Sequence, residues 1–128
     1  MPLTINDAGL SIIKKSEGLY LSAIQDPGGV WTIGWGHTVG VTAGQQITQA
    51  QADALLAQDL ATFESGVGAV AVNPSSNQFS AMVSLAFNIG MGGFKSSSVL
   101  RDHKQMAWWI LNITIVLIAA IAISRRLS

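Results

Sequence analysis

From Met106 to Ile123 the chain reads MAWWILNITIVLIAAIAI, eighteen residues without a charge. As a helix rising about 1.5 Å per residue, such a run is about 27 Å long, close to the hydrocarbon thickness of a bilayer. Trp108 and Trp109 stand at one end and Arg125 and Arg126 at the other, as interfacial anchors do. Asn112 and Thr114 are its only clear polar residues. A helix of a soluble core is rarely apolar all round, so the expectation is a membrane-spanning helix over 106–123. Lys95, Arg101 and Lys104 precede it while Arg125 and Arg126 follow it, so charge gives little bias to its orientation.

The remainder has another character. Residues 1–105 carry five of the seven basic residues and all seven acidic ones, the balance of an ordinary soluble domain. Two parts are therefore expected: a domain over 1–104 and an apolar tail over 105–128. A near-neutral balance argues against a broad electrostatic footprint for nucleic acid. The absence of cysteine excludes a disulfide framework, a Cys zinc site and a Cys nucleophile. No cofactor or metal is expected. The opening MPLTINDAGLSIIKK places its lysines after the apolar residues and an Asp among them, unlike a signal peptide.

Within 1–104, Thr4 with Asp7 resembles a capping box, and a short helix follows over about 5–17 with Gly18 as its terminator. LYLSAIQ and VWTIGWG flank Asp26-Pro27-Gly28-Gly29, which reads as a β-hairpin. Thr48 with Gln51 caps a long amphipathic helix over about 49–71, on which Ala52, Leu55, Leu56, Leu60, Phe63, Val67 and Val70 recur at spacings of three and four. Asn73-Pro74 breaks it. Ser75 with Gln78 caps a third helix, about 77–90, ended by Gly90-Met91-Gly92-Gly93. A serine among Ser96, Ser97 and Ser98 caps a last short turn through Leu100.

Two carboxylates stand out. Glu17 falls at the C-terminal end of the first helix, where the helix dipole disfavours an ionised carboxylate, a setting suited to a general acid. Asp26 lies nine residues on, at the hairpin turn, with Thr32 across the hairpin. Two acids in unlike environments are the minimum equipment for glycoside hydrolysis. On spacing alone, though, solvated surface acids are far commoner than catalytic pairs.

The surrounding residues are more specific. Glu17-Gly18-Leu19, then Asp26, then Trp31-Thr32-Ile33-Gly34-Trp35-Gly36-His37-Thr38 resembles the catalytic segment of the phage lysozyme family, the T4-type and lambdoid endolysins. The resemblance continues through Ile47–Ala52, Ala86–Gly90 and Gly93–Ser97, and covers roughly 3–104 in register. It implies an α+β lysozyme-like fold: a small β-hairpin lobe, a long connecting helix and a mostly helical lobe. It also implies a muramidase, an endolysin that cuts the β-1,4 bond between N-acetylmuramic acid and N-acetylglucosamine in the glycan strands of peptidoglycan. Glu17 would protonate the leaving oxygen. Asp26 and Thr32 would position and activate water on the other face, with inversion. By the same resemblance Thr38, Phe87, Asn88 and Ser97 line the saccharide cleft, Phe87 being as well suited to a core, and His37 ties the small lobe together.

After Lys104 the resemblance stops. The family continues into helices that complete its C-terminal lobe, including an arginine that pairs with the catalytic Glu, and none of these is visible here. Low activity is therefore expected beside a complete family member. The alternative reading is an inactive lysozyme remnant joined to the tail, acting as a small membrane protein or pore former. The location implied is the bacterial cytoplasmic membrane, with the lysozyme part in the host cytoplasm and its substrate in the periplasm, so that function depends on a holin.

Overall fold

A computed structural model describes residues 2–108 and 120–121. In chain order it contains α1 (Asp7–Glu17), a hairpin of β1 (Tyr20–Gln25) and β2 (Trp31–Gly34), α2 (Gln49–Val70) and α3 (Ser76–Lys95). A further helix, α4, occupies 98–108. Most of the apolar run expected to span a membrane, 106–123, lies outside the described residues. Among the described residues no helix is long and apolar enough to cross a membrane.

α1 starts later than the Thr4–Asp7 pairing implies. Its cap is Asn6, whose Oδ1 accepts the Gly9 N–H at 2.9 Å. Asn6 is also fixed by partners far along the chain. Its backbone N–H donates to Ser80 Oγ at 2.9 Å, and its Nδ2 donates to Ser76 Oγ and Asn77 Oδ1 at 3.1 and 2.9 Å. One side chain thus caps α1 and ties it to the start of α3. Ser80, almost wholly buried, has its hydroxyl satisfied by that contact. The helices meet closely there: a Cβ on Gly9 would stand 2.8 Å from Ser80 Cβ.

β1 and β2 pair antiparallel, with Ile24 opposite Thr32 and Gln25 opposite Trp31, and an irregularity between Tyr20 and Ile24. The free edge of β1 is partly covered. Ile47 N–H donates to Leu21 O and Ala23 N–H to Gln45 O, both at 2.9 Å. That pairing leaves less open edge for another chain. β2 packs on α2, with Ile33 fully buried and a Gly34 Cβ only 3.3 Å from Ala52 Cβ.

α2 and α3 both open with capping boxes, Thr48 with Gln51 and Ser75 with Gln78. Along α2, Leu56, Leu60 and Val67 face Phe79, Met82, Val83 and Ala86 of α3, with Ile13 of α1 and Leu100 of α4 closing the core. Burying each of the larger side chains contributes about 1.5–3 kcal/mol. α3 does not end at Gly90. The chain passes through a non-helical glycine there, φ 86° and ψ 157°, and resumes as helix to Lys95. The conformation needs glycine, and the bend lets Phe94 turn back into the core, where it is fully buried.

Candidate active site

Glu17 is the last residue of α1, and Gly18 turns the chain away with φ 74°. The carboxylate is half-buried. Among the described residues no hydrogen bond or ion pair engages it. Against it lies Gly36: a Cβ at that position would stand 2.5 Å from Glu17 Oε2 and 2.9 Å from Cδ, and φ there is +86°. The backbone of the turn after β2 therefore forms a wall against the acid.

Two clefts meet at Glu17. The larger, about 600 Å³, is bordered by the 36–39 turn, by Gln58, Asp59, Thr62 and Phe63 of α2, and by Phe87. The smaller, about 320 Å³, lies between α1 and α3 and includes Ser16, Ser84, Phe87 and Asn88. Phe87 borders both, its ring edge-on to Phe63 with centroids 5.5 Å apart. It is packed against the core and still forms part of the cleft wall.

The turn carrying Gly36 is held by His37. Its Nδ1 meets Asp59 Oδ2 at 2.8 Å, and its Nε2 meets Val39 O at 2.9 Å. The ring nitrogens thus face two acceptors, the Asp59 carboxylate and the Val39 carbonyl. His37 thereby pins the turn to α2. Nearby, Asp53 Oδ1 accepts from Trp35 Nε1 at 2.8 Å and stands 3.2 Å from Lys14 Nζ, while the Lys14 ammonium lies 5.1 Å from the Trp35 ring centroid. The Trp35 hydrogen bond first, and Lys14 second, hold the Asp53 carboxyl below its ordinary value. This cluster joins α1, the turn and α2 one helical turn before Glu17.

Asp26 and Thr32 line neither cleft. Both are tied to Val30 on the hairpin. Asp26 Oδ1 accepts the Val30 N–H at 2.9 Å, and Thr32 Oγ1 donates to Val30 O at 3.1 Å. Thr38 shares the larger cleft with Glu17, and Asn88 the smaller. Ser97 lies in neither, and its hydroxyl is engaged in capping α4, donating to Phe94 O at 2.6 Å and accepting from Leu100 N at 3.2 Å. Sequence reasoning did not single out Gly36, Gln58, Asp59, Thr62 or the Lys14–Asp53–Trp35 cluster. A positive-φ glycine touching an acid across nineteen residues leaves no periodic trace. The polar face of α2 was visible as a face, but not as one turned to a cleft.

A hairpin lobe joined by one long helix to a helical part, with a glutamate at the cleft between them, defines a lysozyme-type glycosidase. The chain matches the phage lysozyme family over residues 14–110 and belongs to it. It is 43% identical over 98 residues to an endolysin of Acyrthosiphon pisum secondary endosymbiont phage 1, covering 76% of this chain and 67% of that protein. It is 42% identical over 103 residues to an endolysin of Bacillus phage PZA, covering 77% of this chain but 40% of the relative. Among solved structures, the muramidase domain of SpmX from Asticaccaulis excentricus superposes with a TM-score of 0.75 at 42% identity, over 82% of this chain and 72% of that one. The family is one of peptidoglycan-hydrolysing lysozymes, and the enzyme class of the chain is glycoside hydrolase.

Proposed function

We propose that this chain is an endolysin muramidase, cutting the β-1,4 bond between N-acetylmuramic acid and N-acetylglucosamine during host lysis. The observation that carries the reading is Glu17: a carboxylate at a helix terminus, backed by Gly36 and engaged by no hydrogen bond or ion pair among the described residues, where two clefts meet. A general acid must lie where its proton can reach a substrate oxygen, and Glu17 borders both clefts. Glu17 protonates the leaving oxygen. Asp26 and Thr32 serve the water on the opposite face. The Thr32 hydroxyl hydrogen is directed at Val30 O, so its lone pairs are free to accept from that water while an Asp26 oxygen takes its proton. Inversion follows. Thr38, Phe87 and Asn88 contact the sugars, whereas the Ser97 hydroxyl is already engaged.

The expected test is loss of turbidity of purified cell walls. The wild-type chain lyses them and Glu17→Gln does not; equal rates would remove the reading. We further propose a division at 104/105, with 106–123 as a single membrane span at the bacterial cytoplasmic membrane and the lysozyme part on its cytoplasmic side. Its uncharged length and its Trp and Arg flanks support the span itself. The wall would then be reached only after a holin opens the membrane. Retention of the chain in membranes through alkaline carbonate extraction is expected, and its release would contradict the span.

A further inference from the structure

α2 presents two rows of side chains to the larger cleft. One row, Asp59 and Phe63, is already occupied, by His37 and by Phe87. The other, Gln58 and Thr62, is exposed and lines the cleft. No hydrogen bond engages either side chain among the described residues. At i and i+4 their side chains stand on one helix face about 5–6 Å apart. We propose that Gln58 and Thr62 form a binding rung for the acetamido group of an N-acetylhexosamine, and so set a preference for acetylated glycan in this cleft.

The chemistry favours that group. An acetamide has one N–H donor and one carbonyl acceptor. The Gln58 carboxamide offers the complementary acceptor and donor from a single planar group. Thr62 supplies a hydroxyl that donates or accepts to the neighbouring ring oxygen or hydroxyl. The Phe63 and Phe87 rings, half-buried and bordering the same cleft, give the acetamide methyl an apolar surface. Glu17 and the 36–39 turn border the same cleft, so a sugar held by the rung lies in the cleft that holds the acid.

The inference rests on the muramidase reading, and the test separates the two. Chitotetraose, an N-acetylglucosamine tetramer without peptide, is titrated calorimetrically into Glu17→Gln protein and into the same protein carrying Gln58→Ala or Thr62→Ala. Both positions are exposed, and unchanged thermal melting checks the fold. Losing one neutral hydrogen bond weakens binding about fivefold, so each substitution is expected to raise Kd by about that factor. Gln58→Glu, which keeps the length but loses the donor, is expected to weaken binding as well. Unchanged Kd in the alanine variants overturns the rung. So does failure of Glu17→Gln protein to bind the tetramer while wild-type chain lyses walls, an outcome that leaves the muramidase reading standing. Equal wall lysis by wild type and Glu17→Gln removes that reading instead.

Discussion

The Gly36 backbone touches the Glu17 carboxyl: the place a Cβ would occupy is 2.5 Å from Oε2, in a residue whose φ is +86°. Two independent reasons therefore require glycine there. Positive φ strains any side chain with a Cβ, and the Cβ itself would drive the acid from its place. Gly36→Ala is expected to cost about 1–3 kcal/mol of stability. It is also expected to lower wall-lysis rate about a hundredfold, the effect of a small displacement of a catalytic group. Thermal melting and turbidity together check this. A variant that is less stable but as active as the wild type would show that the turn does not hold the acid.

Gly9 tests the approach of α1 to α3. Alanine is the better helix former by about 1 kcal/mol. Its Cβ, however, would lie 2.8 Å from Ser80 Cβ and 2.9 Å from Ile5 Cγ1. Neither is the free end of a long side chain, and overpacking of this kind costs about 1–3 kcal/mol. The clash outweighs the propensity, so Gly9→Ala is expected to lower the melting temperature.

What was legible in the sequence was local. The boxes Thr48–Gln51 and Ser75–Gln78 lie within one turn of the helices they cap, and both are present. The hairpin turn at Asp26-Pro27-Gly28-Gly29 closes where its residues indicate, with Asp26 N–H donating to Val30 O. Thr4–Asp7 has the spacing of a cap, yet Asn6 takes the role because Ser76, Asn77 and Ser80 hold it from across the fold. The glycine run after Ile89 reads as a stop, but Phe94 has a core site to fill and only Gly90 breaks the helix. At the candidate site, Glu17 was legible from its motif. Its surroundings were not, because Gly36 meets it, and Gln58 and Thr62 share its cleft, only through tertiary packing.

Asp53 links stability to pH. Its carboxyl is lowered from 3.8 by the Trp35 hydrogen bond and then by Lys14, so the folded chain binds that proton less readily than the unfolded one. The resulting contribution is complete above the unfolded value and is lost as pH falls through the lowered folded value. Asp53→Asn removes the titration while keeping an oxygen for Trp35. The denaturation midpoint of the wild type is expected to exceed that of the variant at neutral pH, and the gap to close below pH 3.8. A gap independent of pH would mean that the carboxylate charge does not matter there.

His37 and Asp59 provide the last test, because they connect the fold to the acid. Their 2.8 Å contact joins the 36–39 turn to α2, and both residues border the larger cleft. His37→Ala removes the ring nitrogen that meets the partly buried Asp59 carboxylate, and a hydrogen bond to a charged group contributes about 1.5–3 kcal/mol. Asp59→Asn keeps the shape but weakens the acceptor, so its cost is expected to be smaller. If the two act through one contact, the double variant loses less than the sum of the single ones, by about 0.5–3 kcal/mol. The same turn carries Gly36, so His37→Ala is also expected to lower the lysis rate beyond what its stability loss explains. The comparison is made at a temperature where every variant remains folded. Additive stabilities in the cycle would show that the contact is incidental. Coupled stabilities with an unchanged rate would show that it secures the fold without positioning Glu17.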